Sequence, residues 1–164
     1  MSEITIRPFK PEDLPRLQDI AVRAWIPIYE ERKRLIGEDL FNQLFPAGSE
    51  CKREQIRSFA VQTPEHMVVA VDGEGCPVGF ATFYINQENR IGTLCNNAVD
   101  KTSGLKGVGQ ALYAEVFRRL KEAGMEVVQV NTGLDDAHAP ARRAYERAGF
   151  APAGIESVTY YKKL

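Results

Sequence analysis

The sequence predicts an α/β fold, with a mixed, mostly antiparallel central sheet of six to seven strands flanked by about four helices. Between residues 66 and 99, three apolar segments typical of strands are separated by short turn sequences. Between residues 108 and 148, two segments with a helical spacing of apolar residues enclose a further strand. The tight turns make the strand meander antiparallel, and the whole order of elements is that of a mixed sheet with helices on its faces.

The composition is that of one globular domain. A length of 164 residues suits a single hydrophobic core, so residues 1–164 are predicted to form one domain. The net charge of −1 provides no basic field that would bind nucleic acid. No apolar run approaches the roughly 20 residues of a membrane span, and the N-terminus lacks the pattern of a signal peptide. We therefore expect a cytoplasmic protein with neither nucleic acid nor membrane as a partner.

The three cysteines are far apart in the sequence and odd in number. Cys51, Cys76 and Cys95 form no CxxC pair and no Cys/His ligand spacing, so no metal site is predicted. They are expected to be buried small hydrophobic residues in a reducing compartment.

The first third of the chain predicts one strand followed by helices. Residues Ile4 to Arg7 alternate like a strand, and residues 11–13 place proline and acids at the start of a helix. Pro27 is expected to interrupt that helix. Residues 25–62 are too apolar for a solvated linker and predict one or two further helices, the last from about residue 50 to residue 61.

The later elements are delimited by turn residues. Strands are predicted at 66–71, 78–85 and 91–99, with hairpin turns at 72–75 and 87–89.

After them we predict a helix from Val108 to the glycine at position 124, and a strand at 126–130. A second helix at 140–148 follows, and Tyr160 and Tyr161 are placed in a terminal strand.

A glycine-rich loop between the fourth strand and the following helix is a candidate phosphate site. Gly104, Gly107 and Gly109 stand three and two residues apart. The first turn of a helix leaves N–H groups without partners and carries a partial positive charge, and glycines let the backbone approach an anion closely. The order of these glycines differs from the dinucleotide-binding fingerprint, and the Lys-Ser/Thr of a P-loop is missing. Taken alone, the loop could equally be a flexible connection.

Two segments resemble motifs of the GCN5-related N-acetyltransferase (GNAT) superfamily. The stretch Ala98-Val99-Asp100, followed by Gly104 and by Gly107-Val108-Gly109, resembles motif A. The segment from Ala141 through Tyr145 to Gly149-Phe150 resembles motif B, whose form is Asn-x-x-Ala-x-x-x-Tyr-x-x-x-Gly-Phe. The resemblance is strongest over residues 91–150. It implies a GNAT fold and an acetyl-CoA-dependent N-acetyltransferase.

The resemblance also implies where acetyl-CoA would bind, without a metal. Its pyrophosphate would be held by N–H groups of the loop and first helical turn, namely Leu105, Lys106, Gly107, Val108, Gly109 and Gln110. Its pantetheine arm would pair with the backbone of the fourth strand, namely Asn97, Ala98 and Val99. This chain departs from the motifs at two places, because Gly104 stands in the Arg/Gln slot of motif A and His138 in the Asn slot of motif B. His138 is expected to contact the cofactor nonetheless.

The resemblance implies that Tyr145 lies near the sulfur of the cofactor and acts as general acid. A purely structural role for Tyr145 in the core is the alternative. Trp25, Tyr29 and Glu30 are the candidates for the acceptor pocket, because the helical region around them would cover the sheet. The acceptor would be a small-molecule amine or a peptide N-terminus, with aminoglycoside, polyamine and amino acid all left open.

Two further questions are left open by the sequence. A sensor that binds acyl-CoA without turnover is the alternative to an enzyme. Monomer and homodimer are both compatible with the sequence.

Overall fold

A sheet with its strands in chain order runs through the computed structural model, which describes residues 4–153 and 161–162. The five strands in these residues are β1 (Thr5–Pro8), β2 (Met67–Val71), β3 (Pro77–Asn86), β4 (Ile91–Val99) and β5 (Val127–Val130). Strands β1 to β4 pair antiparallel, and β5 pairs parallel to β4. The predicted mixed, mostly antiparallel sheet is confirmed.

The predicted count of six to seven strands is not matched by the five strands of the described residues. The prediction included a terminal strand at Tyr160 and Tyr161. Tyr160 lies outside the described residues, and Tyr161 is in no strand.

Helices cover both faces of the sheet, and their bounds are α1 (Leu14–Ile36), α2 (Glu38–Leu44), α3 (Cys51–Gln62), α4 (Val108–Glu122) and α5 (Ala139–Arg147). Side chains alternate along β2, so Val68 packs with α4 on one face and Val69 packs with α1 and α3 on the other. Two cores therefore sandwich the sheet. No helix of the described ranges is long and apolar enough to cross a membrane.

The expected interruption of the first helix at Pro27 is wrong. Helix α1 continues through Pro27 and ends at Ile36. Proline removes one backbone hydrogen bond and pushes against the carbonyl group four residues earlier, which here belongs to Arg23. Both residues lie on the exposed side of α1, where water can solvate that carbonyl group, while fully buried residues such as Leu17 hold the helix on the sheet.

One cysteine also differs from expectation. Cys51 and Cys95 are partly buried, but Cys76 is exposed in the turn between β2 and β3. Its backbone N–H donates to the side chain of Asp72 at 2.9 Å, so the turn is held by an aspartate rather than by burial of the thiol.

Asp100, directly after β4, connects the end of that strand to α1. Its carboxylate is 5% exposed and accepts hydrogen bonds from the backbone N–H and the hydroxyl of Thr102, at 2.9 and 2.7 Å. It also pairs with Arg16 of α1, and the guanidinium of Arg23 lies 3.8 Å away. Burial alone raises the pKa of Asp100, but the bonds from Thr102 and the two guanidinium groups outweigh it, so the pKa is lowered.

Replacing Asp100 by asparagine is expected to destabilise the fold by about 1–3 kcal/mol at pH 7, because it weakens hydrogen bonds to a buried charged group. Since the pKa of Asp100 is lower in the folded state, its contribution is complete above the unfolded value of about 3.9 and is lost as the pH falls through the folded value. Urea unfolding at pH 7 and at pH 3 should therefore show a smaller difference between wild type and variant at pH 3.

Glu54→Gln is the control, because Glu54 pairs with Arg57 on the exposed side of α3. This change should leave the urea midpoint unmoved. An Asp100→Asn protein as stable as wild type at pH 7 would show that the link between β4 and α1 is dispensable.

Candidate functional site

Strands β4 and β5 separate halfway along β4. Their parallel pairing runs from Ile91 with Val127 to Leu94 with Val130, where β5 ends. Strand β4 continues to Val99, so over residues 95–99 its edge on the β5 side has no neighbouring strand in the described part of the chain. Unpaired backbone N–H and C=O groups on a strand edge can pair with an extended ligand.

A β-bulge lies at the point of separation. The register between β3 and β4 shifts at Thr82, which stands opposite the two residues Cys95 and Asn96. The hydroxyl of Thr82 is fully buried; it accepts from the N–H of Asn96 at 3.0 Å and donates to the carbonyl oxygen of Asn96 at 3.2 Å. The Thr82 side chain thus replaces ladder bonds that the extra residue disrupts.

The bulge determines which face of the sheet each of two consecutive asparagines takes. The amide oxygen of Asn96 accepts from Nζ of Lys52 on α3 at 3.3 Å. The side chain of Asn97 instead contacts Tyr113 on α4 and Tyr145 on α5. Both asparagine side chains therefore lie beside the open edge of β4, one toward each layer of helices.

The side chain of Asn97 holds the hydroxyl of Tyr145 at this edge by a hydrogen bond. Nδ2 of Asn97 donates to the hydroxyl oxygen of Tyr145 at 3.1 Å and to the carbonyl of Cys95 at 3.2 Å. Oδ1 of Asn97 accepts from the hydroxyl of Tyr113 at 2.9 Å. Because the Tyr145 oxygen accepts from Asn97, its own proton is free to be donated elsewhere.

Tyr145 is buried, and its burial makes the hydroxyl harder to deprotonate by raising its pKa. Its side chain is only 8% exposed, and this burial raises its pKa, while hydrogen bonds from Asn97 and Tyr113 offset part of the increase. A tyrosine hydroxyl with its ordinary pKa is already protonated at neutral pH, and the raised pKa makes Tyr145 hold its proton more firmly.

A cleft of about 660 Å³ opens beside the separated strands. Its floor is residues 93–97 of β4. Its walls come from α1 and α3 on one side and from α5 on the other, and include Trp25, Ile28, Lys52, Pro140, Ala141 and Tyr145. The cleft is large enough for a small molecule and brings the predicted Trp25 and Tyr145 together.

The glycine-rich loop leads into α4 through two glycines in a left-handed conformation. Gly104 and Gly107 have φ of 68° and 81°, a left-handed conformation that favours glycine. The first bond inside α4 runs from the N–H of Ala111 to the carbonyl of Gly107, and no side chain caps the helix. The preceding N–H groups thus have no partner within the helix, namely those of Val108, Gly109 and Gln110.

Three of the residues predicted to bind the pyrophosphate are Leu105, Lys106 and Gln110. Leu105 and Gln110 form hydrogen bonds within the protein, and Lys106 is exposed. The N–H of Leu105 donates to the hydroxyl of Ser103 at 3.3 Å, and Lys106 is exposed. The side chain of Gln110 donates to the carbonyl of Ala144 at 3.1 Å, which ties α4 to α5.

His138 lies at the cleft beside the start of α5. Its Nδ1 is 2.7 Å from the carboxylate of Asp135, and its backbone N–H donates to the same carboxylate at 3.1 Å. Arg142 donates to the carbonyls of Gly133 and Asp135 at 2.6 and 2.8 Å. Asp135 and Arg142 thus hold the turn that presents His138.

Tyr29 and Glu30 lie apart from this cleft in the described structure. The hydroxyl of Tyr29 is 2.9 Å from the sulfur of Cys51, and burial is the main cause that raises its pKa to about 12. Glu30 is exposed on α1. A contact of either residue with an acceptor stays a prediction.

Sequence reasoning missed the roles of Thr82, Tyr113 and Lys52. Tyr113 lies on the apolar face of α4 with Leu112 and Val116, so helical spacing could have shown its burial. No local signal marks Thr82 or Lys52, because their partners lie on other elements. Within residues 4–153 and 161–162, no cluster of His, Cys, Asp or Glu could hold a metal ion.

The family model described as the acetyltransferase (GNAT) family matches residues 14–150. The chain belongs to the GNAT family. A search of curated proteins found no significant match. The resemblance of the two motifs is thus confirmed by a match that spans most of the chain.

Solved GNAT structures share this fold. Ard1 from Thermoplasma volcanium is 22% identical with a TM-score of 0.67, over 92% of this chain and 84% of that chain. The ribosomal-protein-S18-alanine N-acetyltransferase from Escherichia coli is 22% identical with a TM-score of 0.63, over 93% and 80%. AAC(6')-Iy, solved with the bisubstrate analogue CoA-S-monomethyl-acetylneamine, is 19% identical with a TM-score of 0.62, over 99% of both chains.

The bulge of this GNAT chain can be tested through Thr82. Thr82→Val removes the hydroxyl while keeping the shape, and leaves the N–H and C=O of Asn96 without their partner. We expect a loss of about 1–3 kcal/mol in unfolding free energy and faster hydrogen exchange of the Asn96 amide. Thr82→Ser keeps the hydroxyl and should protect that amide better than valine does. Equal protection in both variants would contradict the role of the hydroxyl.

Proposed function

We propose that this protein is an N-acetyltransferase that transfers the acetyl group of acetyl-CoA to a primary amine by direct attack of the amine on the thioester. One observation carries the proposal: the open edge of β4 and the hydroxyl of Tyr145 line a single cleft, and the glycine loop that begins α4 follows the end of that strand. The complex of AAC(6')-Iy with a CoA bisubstrate analogue supports CoA as the ligand of this fold.

The chain offers acetyl-CoA two sets of backbone groups. The N–H groups that precede Ala111 would bind the pyrophosphate, because they lack partners within α4 and lie at the positive end of the helix dipole. The edge of residues 97–99 would pair with the amides of the pantetheine arm, as a further strand would. Neither set depends on the missing Arg/Gln side chain at Gly104.

Tyr145 is proposed to protonate the departing thiolate of CoA. Asn97 fixes the position of its hydroxyl oxygen, and the raised pKa keeps the proton in place until the sulfur develops charge. A sensor without turnover has no use for such a donor, which favours the enzyme. Backbone N–H groups of β4 would stabilise the charge on the thioester oxygen, and water in the open cleft would take the proton of the amine.

The binding of acetyl-CoA can be tested by thermal shift. At about 100 times its Kd, acetyl-CoA should stabilise the wild type by roughly 2.7 kcal/mol. Gly107→Glu should abolish this shift, because it places a carboxylate where the pyrophosphate would bind. Gly75→Glu is a matched control, since Gly75 has a φ of 83° and open space around its Cα, as Gly107 does. A wild type without any shift would refute binding of CoA.

The general acid can be tested by removing one hydroxyl. Tyr145→Phe should lower kcat by about 10²-fold with little change in the affinity for acetyl-CoA. Tyr113→Phe removes the neighbouring hydroxyl, which donates to Asn97, and should lower kcat by a smaller factor than Tyr145→Phe does. Thiol release assayed over a panel of amines measures both. Near-normal turnover of Tyr145→Phe would show that its hydroxyl is dispensable.

A further inference from the structure

Lys52 is a partly buried cation whose partners are all neutral. Its Nζ lies 4.2 Å from the centre of the Trp25 ring and donates to the amide oxygens of Gln55 at 2.8 Å and Asn96 at 3.3 Å. No carboxylate of residues 4–153 and 161–162 forms a salt bridge with it. Buried cations are ordinarily paired with an anion, and the described residues provide no such anion for Lys52.

The other cations of α3 show the contrast. Arg53 pairs with Asp19 and Glu50 at 2.7 Å, and Arg57 pairs with Glu54 at 2.8 Å. These two arginines lie on the surface and are paired with carboxylates, whereas Lys52 lines the cleft. The chain therefore supplies carboxylates to its exposed cations on this helix and none, within the described residues, to the one that faces the site.

The charges around the cleft leave an excess of positive charge. Burial lowers the pKa of Lys52, and the nearby Arg32 lowers it further, while only the thiol of Cys51 acts in the opposite direction. Besides Cys95 and Tyr145, whose pKa values are raised, the other ionisable groups that line the cleft are Lys101, Asp136 and His138. Asp136 is exposed and acts on Arg34, and the ring of His138 is paired with Asp135.

We propose that Lys52 binds a carboxylate of the acceptor, so that the acceptor is a small amino acid-like molecule carrying both the amine and an anion. This inference rests on the proposed function and narrows its acceptor. Lys52 and Tyr145 both line the cleft, on either side of the open edge of β4, so a carboxylate bound to Lys52 would lie in the same cleft as the proposed reacting centre. The rings and methyl groups of Trp25 and Ile28 provide an apolar wall for the rest of the molecule.

The same charge disfavours polycationic acceptors. AAC(6')-Iy is an aminoglycoside N-acetyltransferase, and an aminoglycoside carries several ammonium groups. In this cleft those groups would meet Lys52 and Lys101.

Trp25 provides a reporter that needs no turnover. It is the only tryptophan of the chain and lies directly beneath Lys52, so its fluorescence senses a ligand at this position. The probes are L-leucine, L-methionine and L-phenylalanine, each compared with its C-terminal amide, which keeps the amine and lacks the carboxylate. With CoA present, the amino acids should bind at least about 10-fold more tightly than their amides, as expected for a charge-assisted bond.

Variants of Lys52 test whether its charge causes the preference for amino acids over their amides. Lys52→Met keeps the packing over Trp25, removes the charge, and should abolish the difference between acid and amide. Lys52→Arg should retain part of it. Lys121→Met, on the exposed side of α4 outside the cleft, should retain all of it. A difference that survives in Lys52→Met, or no tighter binding of any amino acid than of its amide in wild type, overturns the inference.

Thiol release separates this inference from the proposed function. If the carboxylate preference appears in fluorescence but no amine is acetylated, the proposed function fails and the anion site stands. If amides are acetylated with the same KM as the amino acids, the enzyme stands and the anion site fails. If both stand, Lys52→Met should raise the KM for amino acids about 10-fold or more and leave the KM for amides unchanged.

Discussion

The candidate site depends on one constraint, the end of pairing between β4 and β5 at Leu94 and Val130. Beyond it, β4 keeps its partner β3 on one edge and exposes its other edge to the cleft. A strand with an open edge inside a protein is a liability unless something occupies it, and a ligand with amide groups is a suitable occupant. The glycine loop after β4 then lies at the end of that edge, where the ligand would continue.

The bulge determines which side chains lie on each face of the sheet beside the open edge of β4. Without the extra residue, Asn96 and Asn97 would each lie on the other face of the sheet, because a shift by one residue exchanges the faces of the side chains that follow. The hydroxyl of Thr82 fixes the extra residue, so Asn96 reaches Lys52 and Asn97 reaches Tyr145. The proposed acid and the proposed anion site thus share one structural origin.

The sequence allowed the elements and the loop to be predicted because their signals are local. Helical spacing and the glycine at position 124 located α4 to within two residues of its observed end at Glu122, and turn residues located β3 and β4. Pro27 misled the same reasoning. The helix continues through this proline because Leu17 and its neighbours pack on the sheet. That packing involves distant parts of the chain, so it cannot be read from a short segment of sequence.

By itself the sequence determined the order of strands and helices, the glycine loop at the start of α4, and Tyr145 on a helix of the GNAT motif. Only the tertiary structure decided which groups meet. Asn97 and Tyr145 are 48 residues apart, and Lys52 and Asn96 are 44 residues apart. Propensity, caps and periodicity act over a few residues, whereas these contacts follow from the bulge and from the packing of α3 and α5 against the sheet.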